Sequence, residues 1–203
     1  MLKDIEKVHL RILELFIRDY STSYSILEIT KILKINYSNA FKRIKELIKE
    51  HILIETKFGK ANSISLNLNS PNTIHLIALV EQMQRVNNEL IYDIIKEIIH
   101  IDPFACIGLF GSRVARKAKK ESDWDVFVIS EYRKEVEKIM SKFPYASKIQ
   151  LQVFDIHEFK ESLLTAEETI VKHIVKNKQI IYNPYPFYNI IIEWEKIKYA
   201  PKY

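Results

Sequence analysis

The sequence predicts an α+β fold built as two domains, and three observations predict it. The first third carries three amphipathic helical runs followed by two short β-prone runs. Ser70-Pro71-Asn72 then breaks the pattern. Beyond the break, a long amphipathic run leads into four short apolar strands separated by helical stretches, which predicts a small mixed sheet flanked by helices. With 203 residues, 47% of them hydrophobic and 28% charged, the chain can bury a real core in one large or two small domains. The single Cys106 excludes an intramolecular disulfide framework. No apolar stretch approaches the roughly 18 residues of a bilayer span, and the polar start Met1-Leu2-Lys3-Asp4 carries no signal-peptide pattern. The expected location is therefore the cytoplasm, with no membrane partner.

Taken in order, Ile5, Val8, Leu10, Ile12, Leu13, Leu15, Phe16 and Ile17 recur at helical spacing until Asp19-Tyr20-Ser21-Thr22-Ser23. Ser25 is the expected N-cap of a second helix with Ile26, Leu27, Ile29, Ile32 and Leu33 inward. Ser38 is expected to cap a third. That helix should bury Ala40, Phe41, Ile44, Leu47 and Ile48 and show Lys42, Arg43, Lys45, Glu46, Lys49 and Glu50 to solvent. Two β-prone runs follow, Ile52 to Thr56 and Ser63 to Leu66, joined by a turn that holds Gly59. Three helices followed by a hairpin wing make a winged helix-turn-helix, assigned to residues 1–72.

Residues 73–203 are the second predicted domain. Ile74 to Ile101 reads as a long linking helix, bent near Asn87-Asn88 and ended by Asp102-Pro103. Strands are expected at 105–110, 126–130, 148–154 and 179–182, with helices around 131–142 and 158–176. A Tyr/Ile-rich helical tail from Phe187 to Tyr199 reads as core or as the interface of a homodimer.

Charge is uneven along the chain. Residues 1–75 hold 12 Lys and Arg against 8 Asp and Glu, while the remainder holds 19 against 18. The surplus points to an anionic partner for the first domain, and the winged helix makes that partner DNA. In this reading Tyr37, Ser38, Asn39, Lys42, Arg43 and Lys45 enter the major groove, and Lys57 and Lys60 of the wing meet phosphates. The other role for such a module is dimerisation or the holding of a protein partner.

The chemistry concentrates in Ile107-Gly108-Leu109-Phe110-Gly111-Ser112 and, after nine intervening residues, Ser122-Asp123-Trp124-Asp125-Val126-Phe127-Val128. A strand that ends in Gly-Ser and opens a helix presents backbone N–H groups and a hydroxyl to phosphate oxygens. Asp123 and Asp125, two apart, point to one face of a sheet and can share one or two Mg²⁺ ions, which bridge nucleotide phosphates. Only seven of the acids are Asp, against nineteen Glu, so two at this spacing before an apolar strand stand out. The six histidines show no metal-ligand spacing, and Cys106 reads as an inert core thiol.

This arrangement closely resembles the Gly-Ser and Asp-x-Asp signature of the DNA polymerase beta-like nucleotidyltransferases, in particular the small prokaryotic minimal nucleotidyltransferases. The resemblance covers roughly residues 82 to 192 and includes His157-Glu158-Phe159 after a later strand. It implies a nucleotidyltransferase fold, an NTP substrate, Mg²⁺ on Asp123 and Asp125, and phosphate contacts from Gly111 and Ser112. Beside the resemblance, Arg113 and Arg116 of the charged segment read either as neutralising a triphosphate or as a solvated loop, and they are taken with Ser122 as further nucleotide-binding candidates. Two positions depart from the family pattern. Relatives often carry a glycine where this chain has Arg116-Lys117. The family's third carboxylate comes from the later strand, here Lys148 to Asp155, whose alternation puts Gln150 and Gln152 on the metal face. Asp155 falls by parity on the core-facing side and would need a bulge to reach the metals.

The leading functional reading is Mg²⁺-dependent transfer of a nucleoside monophosphate from an NTP to a macromolecular hydroxyl. Two alternatives stand beside it. One is a DNA-binding regulator whose second domain binds nucleotide without turnover. The other is an antitoxin-like protein that modifies or masks a small helical toxin, as minimal nucleotidyltransferases with HEPN-type partners do.

Overall fold

The computed structural model describes residues 5–17, 19–58, 61–84, 86–115 and 122–198, apart from the side chains of 58, 61 and 196–198. The chain divides into two compact units, Met1–Glu81 and Gln82–Tyr203. The division falls one residue before the end of the helix that starts at Pro71.

In the first unit, α1 (Lys7–Ile17), α2 (Ile26–Leu33) and α3 (Tyr37–Lys49) precede an antiparallel hairpin of β1 (Leu53–Phe58) and β2 (Ala61–Leu66), and α4 (Pro71–Gln82) follows. Ser25 caps α2 through a capping box with Glu28, each side chain accepting from the other residue's backbone N–H. The cap of α3 is Asn36 and not Ser38, because the Asn36 carboxamide accepts from the Asn39 N–H and starts the helix at Tyr37. Ile12, Leu13, Phe16, Ile29, Ala40, Ile44, Leu47 and Ile64 are fully buried. A single bridge between Tyr24 and Ile64 ties the α1–α2 connection to the hairpin. Thr73 Oγ1 donates to the Ile52 carbonyl at 3.3 Å and anchors the start of α4.

Three side chains expected inside are outside. Leu27 and Ile32 of α2 and Phe41 of α3 are exposed, since α2 buries only Ile26, Ile29, Thr30 and Leu33 and α3 only Ala40, Ile44 and Leu47. Each stripe is narrower than the apolar content suggests. Gly59 and Lys60, expected in a wing turn, lie outside the described residues.

The expected long linking helix is two helices. α4 ends at Gln82 and α5 (Glu89–Ile101) begins afresh, because Asn88 is an N-cap whose side chain accepts from the Ile91 N–H. In the second unit α5 is followed by β3 (Cys106–Phe110), the single turn α6 (Gly111–Val114), β4 (Trp124–Ile129) and α7 (Arg133–Glu137) with a 3-10 extension over Lys138–Lys142. Then come β5 (Ile149–Phe154), α8 (Ile156–Leu164), α9 (Ile170–Lys176), β6 (Lys178–Tyr182) and α10 (Tyr185–Lys198).

The sheet order is β5-β4-β3-β6, with β4 and β5 parallel and the other pairs antiparallel. This is a mixed sheet flanked by helices, an α+β arrangement. One face carries Ile107, Leu109, Val126, Val128, Ile149 and Val153 in the same core as Ile91, Ile94, Ile95 and Ile98 of α5. The opposite face is aromatic. Phe127 meets Phe110 and Phe187 at centroid distances of 6.3 and 6.2 Å, and Phe187 meets Phe159 at 6.0 Å. Gly108 makes room for this cluster, since a Cβ there would lie 2.4 Å from Cε1 of Phe127. Cys106 is fully buried. Among the described residues no helix is long and apolar enough to cross a membrane.

Candidate active site

The site forms where β3 ends and β4 begins. Antiparallel pairing sets Phe110 opposite Asp125, so the chain leaving β3 at Gly111 passes directly beside the Asp125 carboxylate. Gly111 has φ +75°, a conformation that side chains rarely adopt, and a Cβ there would lie 2.0 Å from Asp125 Oδ2. Both the backbone angle and the space require glycine. The Asn177 side chain donates to the Gly111 carbonyl at 3.4 Å and adds a tether from the end of α9.

Asp123 precedes β4 and Asp125 lies within it, two residues on and therefore on the same side. Burial, and next the neighbouring Asp123 charge, pushes the Asp125 carboxyl above its ordinary range, with Arg113 opposing. Two close oxygen-rich side chains whose mutual repulsion a cation would relieve fit Mg²⁺, which takes one or two carboxylates together with phosphate oxygens and waters. Among the described residues no cluster of three or more His, Cys, Asp or Glu side chains is placed to hold a metal.

The third position on this face is a carboxamide. Parallel pairing sets Gln150 opposite Asp125 and Gln152 opposite Phe127. Gln150 Nε2 donates to Asp123 Oδ2 at 2.9 Å. Asp155 is committed elsewhere, as the N-cap of α8, where its carboxylate accepts from the Glu158 N–H at 2.7 Å in a capping box.

Arg113 holds the loop that presents Asp123. Its Nε donates to the Asp123 carbonyl at 3.1 Å, its Nη2 donates to the Ser122 carbonyl, and its guanidinium lies 4.3 Å from the centre of the Trp124 ring. Ser112 is half-buried next to Gly111, and Ser122 is half-buried next to Asp123. The structure thus brings together Gly111, Ser112, Arg113, Ser122, Asp123 and Asp125. Arg116 lies outside the described residues.

Two neighbours of the site escape a reading by motif, Asn177 and the Gln150 contact to Asp123. Asn177 is 66 residues from Gly111 and has no local signature. Strand alternation does put Gln150 on the right face, but alternation says nothing of which group it touches.

On α3, Tyr37, Ser38, Phe41 and Lys42 are exposed, and the Tyr37 and Phe41 rings stack at 6.0 Å. Asn39 is half-buried with its backbone N–H on the Asn36 cap. Arg43 points inward rather than out, pairing with Glu6 and Glu46. Lys45 pairs with Glu55, and the Glu55 carboxyl is held below its ordinary range chiefly by that hydrogen bond. Lys57 on β1 is exposed. Lys60 lies outside the described residues.

Residues 89–185 match a family model described as Polymerase beta, Nucleotidyltransferase. The match runs from the first residue of α5 to the first of α10 and contains Gly111, both aspartates and Gln150. It lies wholly within the second unit and spans slightly less than half of the chain. A nucleotidyltransferase domain, with nucleotidyl transfer as its general chemistry, is thereby supported for the second unit. No curated protein and no solved structure matches the chain.

Proposed function

We propose that the second unit transfers a nucleoside monophosphate from an NTP to a macromolecular hydroxyl in an Mg²⁺-dependent reaction. The observation that carries this is the approach of Gly111 to Asp125, with Asp123 two residues away, inside a segment that matches a nucleotidyltransferase family. Asp123 and Asp125 would hold the metal, which when bound neutralises phosphate charge and polarises the α-phosphorus. Gly111 lets a phosphate approach the backbone closely, and the Ser112 and Ser122 hydroxyls are the adjacent donors. Arg113 acts through the loop it braces, and Arg116 stands as a phosphate ligand. The acceptor hydroxyl gives up its proton to solvent, its oxygen bonds to the α-phosphorus as the bond to the oxygen bridging the α- and β-phosphates breaks, and pyrophosphate leaves with that electron pair.

The first unit, in this proposal, is a winged helix that binds DNA, with Tyr37, Ser38, Asn39 and Lys42 in the groove and Lys57 and Lys60 on phosphates. Arg43 and Lys45 are spent on internal ion pairs and contribute less. The protein works in the cytoplasm, and α10 is the element assigned to a homodimer contact.

Incubation with labelled NTPs, Mg²⁺ and candidate acceptors tests the enzyme reading beside an Asp123→Asn/Asp125→Asn control. Label transfer lost in the control supports it; equal labelling of both proteins overturns it. A second reading is favoured by the amide that Gln150 places on Asp123 where relatives carry an acid. In it the protein is a DNA-binding regulator or antitoxin-like partner whose nucleotidyltransferase domain turns over weakly or not at all. Nucleotide binding without pyrophosphate release would select that reading.

A further inference from the structure

The side chain that β5 contributes to the metal-binding face is neutral, and it is already bonded to one of the two acids. Gln150 pairs with Asp125 in the parallel β4–β5 register, and its amide N–H reaches Asp123 Oδ2 at 2.9 Å. The orientation of that amide is fixed by charge, since its oxygen turned toward the carboxylate would be repelled. The nearest acid of the same segment, Asp155, is locked in the α8 capping box. No third acid or histidine joins Asp123 and Asp125 among the described residues.

Two carboxylates balance one divalent cation. A second cation would have to share the same two carboxylates, one of which already has an oxygen on the Gln150 amide, where two-metal sites rely on protein carboxylates for both ions. We infer that this site takes a single divalent cation with its nucleotide, and that Gln150 is a positioning residue that fixes Asp123 in place of a third acid. This rests on the nucleotidyltransferase reading and deepens it. With one oxygen of Asp123 held by the amide, the other remains for the cation. The neutral side chain also adds no negative charge that would hold a second ion.

Counting bound Mn²⁺ tests the inference without requiring turnover. The full chain is titrated with Mn²⁺ in the presence of α,β-methylene-ATP, which cannot release pyrophosphate, and free Mn²⁺ is followed by electron paramagnetic resonance. The Asp123→Asn/Asp125→Asn variant serves as the blank. Above that blank, the wild type should bind one Mn²⁺ per chain and Gln150→Glu should bind two. Gln150→Ala should still bind one, about tenfold more weakly, the loss expected when a group that orients a metal ligand is removed. Gln150 is exposed, so these substitutions leave the core untouched.

Two Mn²⁺ ions on the wild type, none on it, or one on both the wild type and Gln150→Glu would overturn the inference. So would unchanged affinity in Gln150→Ala. Label-transfer assays on the same proteins separate this outcome from the fate of the functional proposal. A rise from one ion to two with no transfer by either protein removes the enzyme reading and leaves the inference standing. Transfer by a wild type that holds two ions does the reverse.

Discussion

Gly111 and Asp125 are in such close register that a single methyl group on the first would lie 2.0 Å from Oδ2 of the second. The contact joins the residue that follows β3 to the second residue of β4, so a change at either residue moves both. Gly111→Ala adds the methyl and forces a non-glycine residue to φ +75°, a strain on the order of 1–2 kcal/mol. The Asp125 carboxylate must swing away, and a displacement of about 1 Å in a positioned group can cost about 100-fold in rate. Pyrophosphate release by Gly111→Ala should fall by that order, with the unfolding midpoint lowered. An unchanged rate would mean that Asp125 does not act from this position.

Asp155 separates a structural acid from a catalytic one. Its carboxylate caps α8, and asparagine is about as good an N-cap as aspartate. Asp155→Asn should therefore leave both the unfolding midpoint and the transfer rate nearly unchanged. Asp155→Ala loses the cap and should cost about 1 kcal/mol of stability, again with little change in rate at a temperature where both proteins are folded. A fall in the Asn variant's rate as deep as that of Asp125→Asn would make Asp155 a third catalytic acid.

The described cations of the first unit differ in how far their charge reaches solvent, and salt dependence distinguishes them. Lys42 and Lys57 are exposed, whereas Arg43 is tied to Glu6 and Glu46. If the unit binds duplex DNA, Lys42→Ala or Lys57→Ala should each reduce the slope of log affinity against log salt by about 0.9. Arg43→Ala should leave the slope alone and instead lower the unfolding midpoint. The measurement is DNA affinity across a salt series, and an equal slope change in Arg43→Ala would contradict the assignment of its charge to Glu6 and Glu46.

What the sequence made legible was local. The Ser25-x-x-Glu28 box lies within one turn, and the Gly111-Ser112 and Asp123-x-Asp125 segments come together through one antiparallel pair of strands. Strand alternation places Gln150 on the face that carries Asp123 and Asp125 because period two needs no knowledge of neighbours. Competition between near-equivalent signals was not legible. Asn36 and Ser38 are both good caps, and the earlier one starts the helix. Apolar residues continue from α4 to α5, yet Asn88 restarts the helix. Phe41 sits at helical spacing with the buried stripe but just off its edge, where it stacks on Tyr37. Arg43 is drawn inward by Glu6, a residue 37 positions away in the sequence, and helical periodicity cannot see such a partner.

Glu46 supplies a pH dependence whose sign can be worked out. Its carboxylate accepts from Arg43 at 2.9 Å and from His9 at 2.9 Å. The buried His9 ring takes the Glu6 N–H on Nδ1, so in the neutral ring the proton sits on Nε2 and points at Glu46. The Arg43 hydrogen bond first, and the His9 bond after it, holds the Glu46 carboxyl below its ordinary range, against the opposing effect of burial. A carboxyl lowered in the folded state stabilises the fold above its unfolded pKa of about 4.3, and that contribution is lost as pH falls through the lower folded value. The groups facing it are Arg43, Glu6 and His9, and Glu6 shares the same guanidinium. Glu46→Gln keeps the shape and removes the charge. Its unfolding midpoint should lie below that of the wild type at pH 7, and the gap should close as pH drops below about 4. Thermal unfolding of both proteins from pH 3 to 7 makes the comparison. A gap that stays constant down to pH 3 would show that the Glu46 charge does not stabilise the junction of α1 and α3.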